Sequence, residues 1–581
     1  MRRTTAAPIQ IKIARLLYIL ILITVIIAIR LAYLQIHLSH EYLTQSRKNF
    51  LRHKTITPPR GNIVDINKQL LVTNRPVINL YWQGTIKKIA TEEIHAILDT
   101  LNKILDPIAP DILLQEIQKA NKLAQRHPIA HDLSFEQLSK IKEQFPNHEN
   151  LVIETGFERF YPHHAYASHI LGYLGRIDID SSAKTIGKMG LEELLEESLK
   201  GHPGAIMTTI NSLGTQLSHV ELQRALSGND IHTTIDLSLQ EIAETIFPAD
   251  CEGSIILMNP ITGALQAVVS RPNFDPNIFV RPMTSALWQE LQTNQPFLNR
   301  AFKACYPPGS IFKLITASAA LELGLITQSD TINCRGYYTF AQRQYWCHQK
   351  HGHGVLDVAQ AVAQSCNILF FEIGKRIDIN ILAQYAHKFG LGEKTNILFS
   401  EKTGVVPSRA WKKAEKGEPW WPGETLSVSI GQSFLLVTPI QIARMISAIF
   451  TGYLVNPRIL VSEPIITQPI NISPSTLSFL RETMRAVVTE GTGRRVSHIK
   501  NIEIYAKTST AQVSDLSKRE QSKEHREHGW FVSYIQYKNN PPLTMIILLE
   551  HVSSSKVATN VAKQFLLQYK KLIDEQKHDI L

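Results

Sequence analysis

An uncharged apolar run near the amino terminus constrains this sequence more than any other feature. The run from Leu16 to Ile29 contains no charged residue, and its apolar character continues past Arg30 to Ile36. A helix of about 20 mostly apolar residues is long enough to cross a bilayer. The sequence therefore predicts one membrane-spanning helix, placed at residues 14–36.

Basic residues on one side of this run predict its orientation. They are Arg2, Arg3, Lys12 and Arg15. Positive flanks stay in the cytoplasm, so residues 1–13 are expected to form a cytoplasmic tail and the rest of the chain to lie outside. A cleaved signal peptide is the alternative. The run is long, however, and no small-x-small cleavage site follows it, which favours a retained single-pass anchor.

Length and composition set the broad class. A chain of 581 residues is too long for one ordinary domain. With 44% hydrophobic and 19% charged residues, neither a disordered chain nor a polytopic membrane protein is indicated. The net charge of +10 is spread along the chain rather than gathered in a stripe. We expect a preference for anionic membrane or cell-wall surfaces and no nucleic-acid partner.

The segment from 37 to 225 mixes charged helical stretches with short strand-like runs and contains no cysteine. Pro58 to Asp65 has the composition of a turn that leads into an apolar strand. Ile94 to Leu105 and Asp111 to Leu123 mix apolar and polar residues at helical spacing. We expect an elongated α+β pedestal domain here.

The pattern changes after residue 226. Two β-rich runs, Ser254 to Met258 and Ala264 to Val269, predict a hairpin because Asn, Pro and Gly separate them. Helical periodicity dominates from Ser310 to about Ser447, and three strand-like runs follow, at 502–505, 530–535 and 543–549. This order predicts an α/β (α+β) domain over 226–570, with helices on the faces of one sheet, and then a charged tail at 571–581.

Ser310 and Lys313 are the first candidate catalytic pair. At i and i+3 on a helix their side chains share one face. A lysine of lowered pKa can remove the proton of a serine and make it a nucleophile. Ser310 also opens a helix behind a Pro-Pro-Gly turn, where backbone N–H groups favour negative charge. The spacing alone favours a helix cap, since it recurs by chance at Ser139 and Lys142, Ser181 and Lys184, Ser497 and Lys500, and Ser553 and Lys556.

Two further motifs change that interpretation. Ser365-Cys366-Asn367 lies in an apolar helical stretch, and Lys507-Thr508-Ser509-Thr510 ends a strand-like run. Each is ordinary alone. In this order and in these settings, the three motifs are typical of penicillin-binding proteins and class A β-lactamases.

The chain resembles the class B penicillin-binding proteins over most of its length, and within them the elongation-type penicillin-binding protein 2. The pedestal motifs that carry the resemblance are Pro59-Arg60-Gly61 with Asp65, Arg159-Phe160-Tyr161-Pro162, His169-Ile170-Leu171-Gly172-Tyr173, Gly190-Leu191-Glu192 and Thr234-Ile235-Asp236. The transpeptidase motifs are Ser270 to Asn277, Asn299-Arg300-Ala301, Ser429-Ile430-Gly431-Gln432 and Thr438-Pro439 with Gln441. Trp421 to Glu424 and Thr510 to Val513 favour the elongation subgroup over the division subgroup. Nothing before residue 230 resembles a glycosyltransferase, which argues against the bifunctional class A.

The resemblance implies a fold, a reaction and a location. We expect a domain of the penicillin-binding and serine β-lactamase type, with an antiparallel sheet, behind one membrane helix and the pedestal. The expected activity is cross-linking of peptidoglycan stem peptides through a serine acyl-enzyme, with a carboxypeptidase side activity and inhibition by β-lactams. The expected place is a bacterial inner membrane, with the catalytic domain in the periplasm. Expected partners are lipid-linked precursor strands, a RodA-type glycosyltransferase and other elongation proteins.

The resemblance also implies roles for the motif residues. Ser310 would attack the substrate carbonyl, Lys313 would be its base and Ser365 would relay a proton. Asn367 would contact the substrate amide, while Lys507 and Thr508 would hold the cleft together and bind the substrate carboxylate. The backbone N–H groups of Ser310 and Thr510 would form the oxyanion hole.

Ser509 departs from the family pattern, which usually has glycine at this place. A glycine on such a strand lets a ligand lie close to the backbone. We expect the added Cβ and hydroxyl to alter kinetics or β-lactam affinity without abolishing activity.

Of the five cysteines, Cys251 and Cys305 are expected to be small buried hydrophobes. A zinc ion bound by Cys334, Cys347, His353 and Cys366 would have the ligand set of a structural site. Some elongation-type relatives carry such a site, which makes zinc the favoured expectation, and none is needed for the chemistry. A disulfide between Cys334 and Cys347 is the main alternative in an oxidising compartment.

Two functions of other classes remain open at this point. A penicillin receptor would be acylated at the same serine but would only signal or scaffold. A soluble serine β-lactamase would hydrolyse the acyl-enzyme, but the predicted anchor and pedestal argue against it.

Overall fold

The computed structural model describes residues 7–40, 42, 51–85, 89–105, 110–123, 125–146, 148–176, 185–210, 216–280, 283–513 and 521–578. Its first element is the helix Ala7–Ala32, which continues as a π-helical turn, Tyr33–His37. Within the described residues, Ile11–His37 is the one helical segment long and apolar enough to cross a membrane. The predicted anchor helix is therefore present, and it fits a single-pass membrane protein. Arg2 and Arg3 lie outside the described residues.

Two compact units follow from the pattern of contacts, and the first comprises residues 1–59, 76–157 and 200–228. Its antiparallel sheet consists of the strands Leu51–Ile56, Gly204–Ile210 and Gln216–Gln223. Its helices are Thr91–Ile104, Pro110–Lys122 and Phe135–Gln144. The two predicted helices of this region are thus confirmed. Arg126–Ala130 pairs with residues 80–83 of the strand Leu70–Gln83, and Leu151–Phe160 is a further strand.

The second unit comprises residues 60–75, 158–199 and 229–581, so its limits differ from the expected boundary at 225. The reason lies in the pedestal motifs. Buried Glu192 accepts hydrogen bonds from Arg159 (2.6 Å) and Arg60 (2.8 Å), and Arg159 also donates to the Gly61 carbonyl (2.7 Å). A buried carboxylate needs such partners. These hydrogen bonds join the segments around Arg60, Arg159 and Glu192, which lie far apart in the sequence. The short elements here are Ile63–Val64, Ser168–Leu171, Leu174–Arg176, Thr185–Gly187, Gly190–Leu194, Glu196–Leu199 and Ile231–His232.

A five-stranded antiparallel sheet forms the centre of the second unit. Its spatial order is Leu265–Arg271, Gly253–Met258, Leu543–Leu549, His528–Tyr537 and Ile502–Ala511. The predicted hairpin and all three late strands are confirmed. Ile502–Ala511 ends this order, so it is an edge strand of the sheet.

Alternating side chains of these strands pack into two different hydrophobic cores. Ile255 and Leu257 face a core that includes Phe565 of the carboxy-terminal helix Ser555–His578. Ile256 and Met258 face a second core on the other side of the sheet. Because successive strand residues point to opposite faces, helices cover both sides, as predicted.

The remaining helices surround this sheet. The α-helices are Leu237–Ile246, Ser285–Asn294, Lys313–Glu322, Val358–Ala363, Ile368–Arg376, Ile379–Lys388, Arg409–Lys416, Pro422–Ser429, Pro439–Thr451 and Pro474–Thr489. Single 3-10 turns are Pro276–Phe279, Gly309–Ile311, Arg494–Val496 and Lys523–His525. A short strand pair joins Tyr453–Val455 to Thr467–Pro469.

The structure corrects two expectations. The region expected to be helical contains four strands: Thr331–Cys334 pairs with Gly354–Asp357, and Tyr337–Phe340 pairs with Arg343–Trp346. Cys251 and Cys305 are only half-buried, since both lie in loops between elements.

Candidate active site

The serine turn, Gly309–Ile311, is a single 3-10 turn in front of the helix Lys313–Glu322. Gly309 has a φ of 53°, a conformation that side chains with a Cβ rarely adopt. Its N–H donates to the Gly431 carbonyl (2.9 Å), and a Cβ on Gly431 would collide with the Gly309 backbone. Close backbone contact with the Ser429 to Gln432 motif therefore fixes the position of Ser310.

Lys313 is completely buried directly behind this turn. Its Nζ donates to the Ser365 carbonyl (2.7 Å), to Asn367 Oδ1 (2.8 Å) and, at a longer distance, to Ser365 Oγ (3.3 Å). Burial lowers the pKa of Lys313 to about 8 because it penalises the charged ammonium. With this pKa about a tenth of the molecules have a neutral Lys313 amine at pH 7, and the neutral amine can accept a proton.

Ser365 and Asn367 lie in the turn between the helices Val358–Ala363 and Ile368–Arg376, rather than inside one helix as predicted. Ser365 has a φ of 57° and is almost fully buried. A non-glycine residue in this conformation is strained and persists only where its surroundings hold it. The two short hydrogen bonds from Lys313 to this turn provide part of that support.

Lys507 lies in the middle of the edge strand Ile502–Ala511, not at its end as predicted. Its buried Nζ donates to Ser365 Oγ (3.2 Å) and to the Thr508 carbonyl (3.1 Å). Burial and then the nearby charge of Lys313 place the pKa of Lys507 well below its ordinary value. Both lysines therefore meet at one hydroxyl, that of Ser365.

These residues form two sides of one cleft. We call Lys313, Ser365 and Asn367 the helical wall, and the residues from Lys507 to Thr510 the strand wall. The structure brings the three sequence motifs together, although they lie far apart along the chain. Within the described part of the chain, the Ser310 hydroxyl has no hydrogen-bond partner. No hydrogen bond therefore joins it to the Lys313 amine. Catalytic hydrogen bonds are often long before a substrate binds.

The other strand-wall residues have different surroundings. The Thr508 hydroxyl is paired with that of Thr492, and Thr510 Oγ1 accepts from the N–H of Ser555 (3.1 Å). Ser509 Oγ accepts from the backbone N–H of Ser310 (2.8 Å). The residue that departs from the family pattern therefore contacts the serine turn directly.

Sequence reasoning missed two residues that support the motifs. The carbonyl of Trp346 accepts from Asn367 Nδ2 (3.0 Å), and Thr492 pairs with Thr508. Neither Trp346 nor Thr492 belongs to a sequence motif that would predict its contact. Trp346 ends a hairpin that we had expected to be helical, and Thr492 follows a helix in the loop before the edge strand.

The four predicted metal ligands also lie together. Cys334, Cys347, His353 and Cys366 each offer a ligand atom, and these atoms all lie within 4.8 Å of one another. His353 Nδ1 is 3.4 Å from the sulfur of Cys334 and 3.6 Å from that of Cys347. All five cysteines are free thiols, so the structure shows no disulfide between Cys334 and Cys347.

Family models match both parts of the chain. The model described as the penicillin binding protein transpeptidase domain matches residues 253–567, and the penicillin-binding protein dimerisation domain matches residues 55–233. The chain is a class B penicillin-binding protein. The first match covers the whole central sheet and all three motifs of the cleft.

Individual relatives agree with this assignment. The chain is 31% identical to the peptidoglycan D,D-transpeptidase MrdA of Acinetobacter baumannii, over 94% of this chain and 85% of the relative. It is 28% identical to MrdA of Escherichia coli strain K12, over 94% and 92%. Among solved structures, penicillin-binding protein 2 of Helicobacter pylori in complex with MreC has a TM-score of 0.78 and 26% identity, over 90% of this chain and 99% of that chain. This class B protein is a peptidoglycan D,D-transpeptidase of the elongation type, as the sequence motifs predicted.

Proposed function

We propose that this transpeptidase cross-links stem peptides through an acyl-enzyme on Ser310. The observation that carries the proposal is the meeting of Lys313 and Lys507 at the Ser365 hydroxyl, beside the serine turn. Two buried amines at one hydroxyl cannot both be charged at low cost, because neither has a carboxylate partner among its hydrogen bonds. The arrangement is suited to moving protons.

Lys313 acts as the base for Ser310. A neutral amine has two hydrogens and one lone pair. The two short bonds to the Ser365 carbonyl and Asn367 Oδ1 use the hydrogens, which leaves the lone pair for the Ser310 proton. The serine oxygen then bonds to the carbonyl carbon of the penultimate D-alanine.

The next step breaks the bond between this carbon and the nitrogen of the terminal D-alanine. The leaving nitrogen needs a proton, and the Ser365 hydroxyl supplies it and regains one from Lys313. An amine of a second stem peptide then attacks the ester, loses a proton through the same groups and frees Ser310. Water in place of this amine gives the carboxypeptidase side reaction.

The strand wall binds the substrate. A free edge strand offers unpaired N–H and C=O groups to an extended peptide. The N–H groups of Ser310 and Thr510 hold the developing oxyanion, while Asn367 Nδ2 donates its second hydrogen to the substrate amide. Lys507 and Thr508 bind the terminal carboxylate, which supplies the counter-charge that buried Lys507 lacks.

Acylation by a labelled penicillin tests this mechanism. We expect the purified full-length protein to gain one covalent label on Ser310, located by peptide mass analysis, and to lose it slowly. Ser310→Ala is expected to take up no label, whereas Ser139→Ala, which changes the serine of a chance Ser-x-x-Lys match, is expected to react normally. Labelling of Ser310→Ala would refute the assignment. Rapid hydrolysis of the label would favour a β-lactamase, and rescue of wall synthesis by Ser310→Ala would favour a receptor.

The Cys-His cluster binds a structural zinc ion in this proposal. Three sulfurs and one imidazole nitrogen form a tetrahedral ligand set that suits zinc. The pKa of the Cys347 thiol lies well below its ordinary value because the Cys366 thiol donates to its sulfur, and the N–H of Asn367 donates to it as well (3.4 Å). Cys366 separates Ser365 from Asn367, so bound zinc would hold the strained turn of the helical wall in place.

Metal content is the test of this zinc site. The purified protein is expected to contain one zinc per chain, and Cys334→Ser to contain much less and to unfold at a lower temperature. Cys251→Ser is the matched control, since Cys251 lies outside the cluster. Substoichiometric zinc, together with two fewer reactive thiols in the denatured protein, would instead support the disulfide.

The proposed location is the bacterial inner membrane, and the proposed partners are elongation proteins. Basic residues before the anchor support a catalytic domain in the periplasm of a bacterial inner membrane. A solved relative is a complex with MreC, and another, with a TM-score of 0.74 and 28% identity over 96% of this chain, belongs to a peptidoglycan synthase complex that coordinates polymerization and crosslinking. These likenesses support binding to elongation proteins and to a RodA-type glycosyltransferase, with lipid-linked strands as substrates.

A further inference from the structure

Ser509 has a side chain at a place where the proposed mechanism needs empty space. The N–H of Ser310 is one of the two proposed oxyanion donors, and Ser509 Oγ accepts from this N–H at 2.8 Å. A substrate oxyanion would lie at about 2.7–3.1 Å from the same nitrogen. The hydroxyl and the substrate oxygen therefore compete for one position.

Backbone geometry explains why the hydroxyl points there. Alternate residues of a strand face the same side, so Ser509 shares a face with Lys507, whose amine reaches Ser365 in the cleft. A Cβ built on Gly309 would collide with Ser509 Oγ. The absence of a side chain at Gly309 thus creates the space that the hydroxyl fills.

The contact is also well protected. Ser509 is only 2% exposed. A free water in the same position could diffuse away when substrate arrives. A tethered hydroxyl can leave only by rotating to another χ1 rotamer, and it returns whenever the position is vacant.

We propose that the Ser509 hydroxyl plugs the oxyanion hole and must rotate away before Ser310 can be acylated. The inference rests on the proposed serine mechanism and adds to it a residue that sets the rate. With the plug in place, the Ser310 N–H is already satisfied, so an incoming carbonyl gains less from it. Ser509 is consequently a positioning residue that slows acylation, by stem peptides and by β-lactams alike.

Two variants separate the plug from simple narrowing of the cleft. Ser509→Ala removes the hydroxyl and keeps the Cβ, whereas Ser509→Gly removes both. If the hydroxyl is the obstacle, both variants are acylated faster by a labelled penicillin, by about fivefold, which is the equilibrium factor of one ordinary protein hydrogen bond. The increase is expected in the rate constant of acylation, while the non-covalent dissociation constant and the thermal unfolding midpoint change little.

Ser533→Ala is the matched control. Ser533 is a buried serine on the neighbouring strand of the same sheet, and its hydroxyl has no hydrogen-bond partner in the part of the chain that the structure describes. We expect this variant to be acylated at the parent rate.

The outcomes distinguish this inference from the mechanism on which it rests. An acylation rate of Ser509→Ala equal to or below that of the parent overturns the plug. If Ser509→Gly is then the faster variant, the Cβ of Ser509 and not its hydroxyl is the obstacle. A parent protein that is not labelled on Ser310 at all overturns the serine mechanism first and the plug with it.

Discussion

The two walls of the cleft are built in opposite ways. The strand wall is regular: all ten residues of Ile502–Ala511 pair in register with His528–Tyr537. The helical wall is irregular, with Ser365 at a φ of 57° in a turn between two short helices. A sheet can present binding groups through its register alone. The proton-transferring Ser365 instead has an uncommon backbone conformation, and buried hydrogen bonds from Lys313 hold it there.

The lysines of the two walls show the same difference. Lys313 has three hydrogen bonds within its own wall, to Ser365 and Asn367. Lys507 has one bond to its own wall, at Thr508, and one to the opposite wall, at Ser365. The Ser365 hydroxyl thus links the walls, and we expect loss of Lys313 to affect mainly the chemical step and loss of Lys507 to affect mainly the binding of substrate.

Removal of the helical-wall amine is expected to give the largest effect. Lys313→Met keeps a long side chain of similar volume but removes the base, and general-base catalysis contributes about 10²–10⁴-fold. We expect the acylation rate constant to fall by about 10³-fold, with little change in the non-covalent dissociation constant for penicillin. Stopped-flow kinetics with a fluorescent penicillin measure both quantities.

Lys142→Met is the control for this prediction. Lys142 has the same spacing from Ser139, but the Ser139 hydroxyl donates to the Phe135 carbonyl on an exposed helix, so the pair has no role in the cleft. A normal acylation rate in Lys313→Met would show that another group removes the Ser310 proton.

The pH dependence of acylation is the second prediction. Burial lowers the pKa of Lys313 to about 8, and only the neutral amine acts as a base. The neutral fraction rises with pH, so the rate should increase about tenfold per pH unit below 8 and level off above it. Between pH 6 and the plateau we expect a change of about 10²-fold.

Burial and then the charge of Lys313 lower the pKa of Lys507, whereas for Lys313 burial is the cause that lowers the pKa. We therefore expect Lys507→Met to leave the inflection of the profile close to that of the parent. A profile that is flat from pH 6 to 9 would mean that neither amine controls the proton of Ser310.

Much of the regular structure could be predicted from the sequence. The apolar run, the hairpin around Asn259 and Gly263, and the late strands have strong local patterns, and the structure confirms them. The four strands between Thr331 and Asp357 were wrongly expected to be helical. They are short and partly exposed, and the hairpin of Tyr337–Phe340 with Arg343–Trp346 turns at Ala341 and Gln342, where the Asn or Gly that usually marks such a turn is missing.

The site was predictable as residue types but not as geometry. The motifs identified Ser310, Lys313, Ser365, Asn367 and Lys507, and the structure brings the last four into one network. Sequence could not indicate the left-handed turn at Ser365, since serine has no preference for it. Nor could it show which way the Ser509 hydroxyl points, because that depends on Gly309, which lies 200 positions earlier in the sequence but directly beside Ser509 in the fold.

Loss of the strand-wall amine is the third prediction. Lys507→Met should weaken the non-covalent binding of penicillin by about 30-fold, since a hydrogen bond to a charged group contributes about 1.5–3 kcal/mol. The acylation rate constant at saturation should change less than in Lys313→Met. Equal effects of the two variants on both constants would contradict the separate roles of Lys313 in catalysis and Lys507 in binding.

The smallest effect is expected outside the motifs, at Thr492. Its hydroxyl pairs with that of buried Thr508 on the strand wall. Thr492→Val leaves the Thr508 hydroxyl without this partner, and an unsatisfied buried hydroxyl costs about 1–3 kcal/mol. Because Thr492 lies partly at the surface, where water can replace it, we expect the lower end, about 1 kcal/mol, seen as a lower midpoint of thermal unfolding.

A double variant separates this pairing from other effects of the substitution. Thr492→Val combined with Thr508→Val removes both hydroxyls, so its loss of stability should be smaller than the sum of the two single losses. Additive losses would show that the pair contributes nothing. Acylation by penicillin serves as the second measurement: it should stay close to the parent rate in Thr492→Val, because the Thr492 hydroxyl bonds to Thr508 and not to the side chains of Lys313 or Ser365. A larger change would mean that the position of Thr508, and not only its hydroxyl, depends on Thr492.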